Sequence, residues 1–166
     1  MTEQEQRAEQ PRTQTQAQPS SRAIHEAIAR LSSGDRAELR RDPGTSLAFY
    51  KLQATHFPDV HKDETRERWM VLVQAMALLV DLYAPNTRLG AALGEAKLSE
   101  NRLTRLLRAD DIRLPKQIHA CARFLAAKGV RQDMTGFAWL LNVREPIAAE
   151  RVRRQIAGDY FRAVSS

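Results

Sequence analysis

Residues 69–83 constrain the fold most, because this segment is apolar on almost every face when it is drawn as an α-helix. It belongs to a longer predicted helix that starts after a cap at Asp63 or Thr65. That helix ends before Pro85, since proline and the residue before it both disfavour a continuing helix. A helix without a polar face must be surrounded by other elements. The segment is therefore predicted to be a long central core helix.

The rest of the chain predicts an all-α fold, because helical spacing recurs and no alternating β pattern of useful length appears. Residues suited to turns separate short helices, and Ser46 and Asp133 are predicted N-caps. We expect two small helical bundles with a seam near residues 85–97. The other predicted helices span residues 23–31, 36–41, 47–55 and 115–128, start at residues 133 and 146, and include two within residues 87–110.

Residues 1–22 are rich in Gln, Thr, Glu and Pro, with no large apolar residue after Met1. Such a segment cannot bury enough surface to offset the entropy lost on ordering. It is predicted to be a disordered tail, followed by a helical domain over residues 23–166.

Composition limits the compartment and the chemistry. The chain has 166 residues and one cysteine, Cys121, so neither an internal disulfide nor a cysteine metal cluster can form. Cys121 lies in an apolar helical run and is predicted to be a small core residue. The longest apolar run is too short to span a bilayer, and the N-terminus shows no apolar signal segment. We expect a cytoplasmic protein that does not associate with membranes.

Residues 87–110 are predicted to form two short helices joined at residues 96–98, with Ser99 as the N-cap of the second. At about 100° per residue, the leucines of the second helix share one face. The arginines form a strip roughly opposite, with one acid, Glu100, at its start. This separation favours a surface that faces a polyanion over an ordinary solvated face. The leucines are Leu103, Leu106 and Leu107, and the arginines are Arg102, Arg105 and Arg108.

Positive charge is concentrated around this strip. Residues 97–131 contain nine basic and three acidic side chains, an excess of +6 that equals the net charge of the whole chain. The remainder of the sequence is therefore balanced. Such clustering suits binding to backbone phosphates, which needs many cations but no base-reading code.

Patterns for catalysis and for metal binding do not occur. The sequence has no glycine-rich phosphate loop and no pattern typical of hydrolases or metalloproteases. His56, Asp59 and His61 lie in a turn segment, and their spacing does not favour a metal site. The chain is predicted to be neither an enzyme nor a protein with a metal or other cofactor.

The region of the arginine strip resembles the small helical subunit of type I-E CRISPR Cascade complexes. That family has a Leu-Gly-x-x-Leu segment, then Ser or Asn before Glu-x-Arg, then Leu-x-x-Leu-x-Arg-Ala-Asp. Weaker similarity extends over most of residues 26–160, although Met134 stands where the family usually has an aromatic residue. The matching residues are Leu89, Gly90, Leu93, Ser99, Glu100, Arg102, Leu103, Leu106, Leu107, Arg108, Ala109 and Asp110.

The resemblance implies a non-enzymatic, sequence-nonspecific subunit that stabilises an R-loop in antiviral defence. It would hold the displaced non-target DNA strand, and the guide–target duplex, through phosphate contacts. Its implied partners are the guide-RNA ribonucleoprotein, through the backbone and large subunits, and a second copy of itself.

Eight basic residues are candidates for nucleic-acid binding, and they rest on different grounds. Arg41, Arg102, Arg108 and Arg123 fall on basic positions of the family pattern. Helical geometry alone selects Arg105 and Lys116. Lys62 and Arg144 lie near other basic positions of the family.

The same region also resembles a helix-turn-helix, so a DNA-binding transcriptional regulator is an alternative. That motif prefers a small residue near Leu93 and a glycine near Lys97. The sequence departs from both preferences, and its turn would need a glycine-like conformation at a lysine. A helical adaptor for acidic proteins also remains compatible with the charge.

Overall fold

A computed structural model describes residues 20–166, and within that range the chain is all-α, which confirms the predicted fold class. Two short 3₁₀ turns, Pro43–Thr45 and Val80–Leu82, supplement the α-helices. The α-helices are α1 (Ser21–Ala29), α2 (Ser33–Arg41), α3 (Leu47–His56), α4 (Asp63–Leu78), α5 (Leu89–Glu95), α6 (Glu100–Arg108), α7 (Leu114–Lys128), α8 (Thr135–Asn142) and α9 (Pro146–Val164).

Helix α4 is the predicted central helix. Its Leu72, Val73 and Met76 are completely buried, and α1, α2, α7 and α8 pack around it. It therefore contacts both the helices that precede it and those that follow α5. The division into two subdomains stays a prediction. One hydrophobic cluster includes residues from both sides of the proposed seam.

The predicted ends of this helix were wrong. No side chain caps its N-terminus, where Lys62 takes the cap position instead of Asp63 or Thr65. The helix stops at Leu78 and does not continue through Tyr83, because the backbone there bonds to a distant segment. Gln132 donates its N–H to the Leu82 carbonyl at 3.0 Å, and its own carbonyl accepts from Ala84 at 3.1 Å.

The first two helices begin earlier than predicted. Residues 1–19 of the predicted tail lie outside the described range. Ser20 caps α1, so that helix includes Ser21 and Arg22. Helix α2 starts at Ser33 and not near Arg36, because the Ser32 hydroxyl accepts the N–H of Asp35 at 3.1 Å. Ser46 caps α3 as predicted.

Helices α5 and α9 touch backbone to backbone. A β-carbon added at Gly90 would lie 2.2 Å from the Ile156 carbonyl oxygen, and one at Gly94 would lie 2.8 Å from the Tyr160 carbonyl oxygen. Only glycine allows this approach. The contact supports α6 from behind, because the Tyr160 hydroxyl donates to the Leu98 carbonyl just before α6.

Two further predictions concern the core and the membrane. Cys121 is buried in the hydrophobic core as predicted. Among the helices of residues 20–166, none combines the length and the apolar character that a membrane crossing requires.

Candidate nucleic-acid interface

Helix α6 has the local structure that its sequence predicts. The Ser99 hydroxyl accepts the N–H of Arg102 at 3.3 Å, which confirms the N-cap. Leu103 and Leu106 are buried, and Leu107 is partly buried. The side chains that anchor α6 thus occupy one face, which leaves the other face free to carry charge.

The opposite face carries three exposed arginines, Arg102, Arg105 and Arg108. Within residues 20–166, none of the three lies within 4.0 Å of a carboxylate oxygen. Their positive charge is therefore available to a ligand that brings its own negative charge.

Helix α7 extends this surface. The guanidinium of Arg102 lies over the ring of Phe124 at 5.2 Å, and the ammonium of Lys128 lies 5.7 Å from the same ring centre. Exposed Lys116 and Arg123 lie seven residues apart on the outward side of α7. We call the following six side chains the basic face: Arg102, Arg105, Arg108, Lys116, Arg123 and Lys128.

The pKa values of two side chains on α7, His119 and Cys121, are shifted by burial and by nearby arginines. Partial burial and the positive charge of Arg123 lower the pKa of His119. Burial raises the pKa of the Cys121 thiol to about 11, and the nearby charge of Arg102 opposes that shift. His119 therefore favours its neutral imidazole and Cys121 its neutral thiol. The charge of the basic face thus comes from its arginines and lysines.

Arg144, another predicted binding residue, is engaged elsewhere. It precedes α9 and forms a two-fold hydrogen-bonded ion pair with Asp111, which lies between α6 and α7. This pair lowers the pKa of Asp111 and raises that of Arg144. Arg144 is exposed, but its charge is already matched.

The structure does not bring Arg41 and Lys62 together. The Arg41 carbonyl lies 3.5 Å from the side-chain amide of Gln74, near the far end of α4. Lys62 is at the start of α4, about 18 Å away along the helix axis. Both side chains are exposed, and they lie on elements other than α6 and α7.

Lys128 belongs to the basic face although it was not predicted to bind nucleic acid; it lies within the basic window of residues 97–131. Lys128 is linked to Arg102 of α6 through Phe124, a half-buried ring on α7 that both cations approach. The one available signal was the four-residue spacing between Phe124 and Lys128, which puts both on the same side of α7.

The turn between α5 and α6 corrects one argument against the helix-turn-helix. Lys97 adopts the left-handed conformation, with φ of 61°, that was thought to require glycine. Its N–H donates to the Gly94 carbonyl at 3.1 Å, and the neighbouring Leu98 N–H donates to the Leu93 carbonyl at 3.0 Å. These bonds close the helix end and stabilise a conformation that costs a lysine more than a glycine.

Comparison with known proteins gives one family and one fold. A family model described as CRISPR-associated protein Cse2 matches residues 27–161. Among solved structures, the chain is similar to a chain in a crystal structure of E. coli Cascade bound to a PAM-containing dsDNA target with a 32-nt spacer. The identity is 19%, the TM-score is 0.68, and the match covers 89% of this chain and 97% of that chain. No curated protein sequence matches this chain.

Proposed function

The chain belongs to the CRISPR-associated Cse2 family, and from that membership we propose that it is the non-enzymatic small subunit of a type I-E Cascade complex. In this role it binds nucleic acid without sequence preference, through backbone phosphates. Its ligands are the displaced non-target strand and the guide–target duplex. The sequence resemblance to this family agrees with the membership.

The basic face carries this proposal. It combines exposed cations from two packed helices, and the arginines of α6 have no carboxylate partner among the described residues. Arginine binds phosphate oxygens through paired N–H donors. A row of such groups releases counterions from any nucleic-acid backbone, whatever its sequence.

Weak backbone binding is sufficient for R-loop stabilisation. Opening a DNA duplex against a guide RNA exchanges one duplex for another of similar stability, so modest contacts with the separated strand shift the balance. The proposed partners within the complex are its backbone and large subunits and a second copy of this chain.

The test replaces Arg102, Arg105 and Arg108 together with Ala. Each change is on the surface and should alter the free energy of unfolding by no more than about 0.5 kcal/mol. Affinity for unrelated single-stranded and duplex DNAs should fall for all of them alike. The magnitude of the salt slope should decrease by about 0.7 to 0.9 for each lost phosphate contact. Fluorescence anisotropy over a salt series measures both quantities.

A matched control removes three exposed arginines outside the basic face, Arg22, Arg151 and Arg154. It changes net charge equally and should leave most of the affinity intact. In an assembled complex, the first variant should still be incorporated but shorten the R-loop lifetime on a matched target. Normal assembly with an unchanged lifetime, or equal losses in the two variants, contradicts the role of the basic face.

The conformation of Lys97 favours the second candidate, a helix-turn-helix regulator, because it gives the turn the geometry that this motif needs. A regulator should prefer its operator over other DNA by roughly 10³ or more at physiological salt. Selection from a random duplex library decides between the two candidates. An enriched palindrome would support the regulator, and the absence of any preferred sequence would support the Cascade subunit.

A further inference from the structure

Tyr50 of α3 is an exposed aromatic side chain that packs against an arginine of α4. It is 51% exposed, and Leu47, three residues earlier on the same side of α3, is 74% exposed. The guanidinium of Arg66 lies over the Tyr50 ring, 5.4 Å from its centre. No other aromatic ring in the described range stacks on Tyr50. Because one guanidinium covers at most one face of the ring, the remainder of the ring is open to a ligand.

Arg66 is half-buried, and its neighbours fix its position. Its guanidinium also lies over the Phe49 ring, 5.1 Å from the centre. Its Nε donates to the side-chain oxygen of Gln53 at 3.2 Å, and its Nη1 contacts the Met70 sulfur at 3.4 Å. The amide of Gln53 is itself held by the Val60 carbonyl at 3.2 Å. The guanidinium is therefore ordered before a ligand arrives, which lowers the entropy cost of binding.

The positive charge of Arg66 is not matched by an acid. Among residues 20–166, no carboxylate oxygen lies within 4.0 Å of Arg66, nor of the exposed Lys51 and Lys62. Asp63 stands three residues before Arg66 on α4, a spacing that permits an ion pair, but Arg66 contacts the two rings instead. Its Nη2 makes no hydrogen bond to another described residue and reaches solvent. It is therefore available to an anion.

We propose that Tyr50 and Arg66 form a contact for an unpaired nucleotide, in which the base stacks on the Tyr50 ring and Arg66 binds the adjacent phosphate. Sequence-independent single-strand sites combine these two parts, because every base has a π face and every nucleotide has a phosphate. Leu47 extends the apolar surface for the base, and Lys51 and Lys62 add positive charge. The proposal rests on the proposed function and deepens it. The contact favours the displaced strand, since the bases of a duplex are already stacked inside it.

The experiment compares Tyr50→Leu with Phe161→Leu in the full chain. Phe161 of α9 is 47% exposed, so both changes remove an exposed ring and keep an apolar side chain. Within the described range, no cation lies over the Phe161 ring. We expect Tyr50→Leu to weaken binding of single-stranded oligothymidylate about five- to tenfold, and binding of a duplex by no more than about twofold. Phe161→Leu should change neither affinity by more than about twofold. Fluorescence anisotropy measures both.

A strand without bases separates stacking from phosphate binding. An abasic phosphodiester oligomer of the same length should bind Tyr50→Leu as tightly as the wild-type chain. Arg66→Gln should weaken binding of the normal and the abasic strand alike, because it removes a phosphate contact. Tyr50→Phe keeps the ring and should bind oligothymidylate like the wild-type chain. Equal losses for Tyr50→Leu with and without bases, or on single strand and duplex, overturn the proposal.

The remaining outcomes distinguish this contact from the proposed function. Oligothymidylate binding that is unchanged by Tyr50→Leu overturns the contact and leaves the role of the basic face intact. If the same variant also fails to enter an assembled complex, this surface of α3 binds a protein subunit, and a nucleic-acid ligand is the wrong choice. A wild-type chain that binds no oligonucleotide overturns the proposed function, and this contact with it.

Discussion

The arginines of α6 and those around α9 differ in their partners. Arg102, Arg105 and Arg108 have no ion pair within residues 20–166, and neither do the basic side chains of α7. Around α9, four arginines do have carboxylate partners, while Arg151 and Arg153 have none among the described residues. Arg88 and Arg162 share Asp159, while Arg154 pairs with Glu150 and Arg144 with Asp111.

This difference teaches that net charge does not locate a binding surface. Both regions are rich in arginine, but acids on neighbouring turns or segments pair with four arginines around α9 and with none on α6. The paired arginines near α9 join parts of the chain, whereas no acid among the described residues pairs with the arginines of α6. A solvent-facing cation that is not needed for folding is free to bind a ligand.

The largest expected effect breaks the close contact between α5 and α9. Gly90→Ala puts a methyl group 2.2 Å from the Ile156 carbonyl oxygen, so α5 must move away from α9. We expect a loss of about 3 kcal/mol in the free energy of unfolding, measured by urea denaturation. Gly34→Ala is the control, because its nearest atom is 3.9 Å away and α2 should gain roughly 0.5 kcal/mol. Equal effects at the two glycines would show that the close approach is not needed.

A medium effect separates a buried ion pair from an exposed one. Asp159 is 8% exposed and accepts from Arg162, with Arg88 3.6 Å away, so Asp159→Asn removes a largely buried negative charge that two arginines share. We expect a loss of about 1 to 2 kcal/mol in unfolding free energy. Glu150→Gln, in an exposed pair, should cost no more than about 0.5 kcal/mol. If the two cost the same, the arginines near α9 are as free as those of α6.

The smallest effect concerns pH and α7. The lowered pKa of His119 means that the unfolded chain takes up a proton more readily than the folded chain. Stability from this group is therefore complete well above pH 6.5, the ordinary value, and decreases as the pH falls below it. His119→Gln should flatten this part of the stability profile, measured by urea denaturation between pH 8 and 5. His61→Gln, an exposed histidine before α4, controls for losing a titratable side chain. A profile unchanged by His119→Gln contradicts the shift.

Local features of the fold were predictable from sequence, and distant ones were not. The Ser99 cap and the burial of Leu103 and Leu106 depend on neighbours within a few residues. The early end of α4 depends on Gln132, which is some fifty residues away, and no local pattern reports that contact. The start of α2 is a further local feature that was missed, because the Ser32 cap starts this helix at Ser33 and not at the predicted residue 36.

The same distinction between local and distant contacts applies to the candidate site. The exposure of the α6 arginines follows from helical periodicity, since leucines claim the other face. The pairing of Arg144 with Asp111 joins residues 33 positions apart and could not be derived from spacing. Lys97 shows a third limit, because a lysine can adopt a glycine-like conformation when backbone bonds around the turn compensate for its cost.

The bond between Tyr160 and Leu98 has a consequence for biosynthesis. It joins positions 62 residues apart, so α5 and α6 leave the ribosome well before the helix against which α5 packs. At about 5 to 20 residues per second, the glycine face of α5 and the base of α6 wait several seconds for α9. During that interval the arginines of α6 are already in the chain but lack a rigid support. A nascent chain therefore exposes the arginines of α6 before their geometry is fixed.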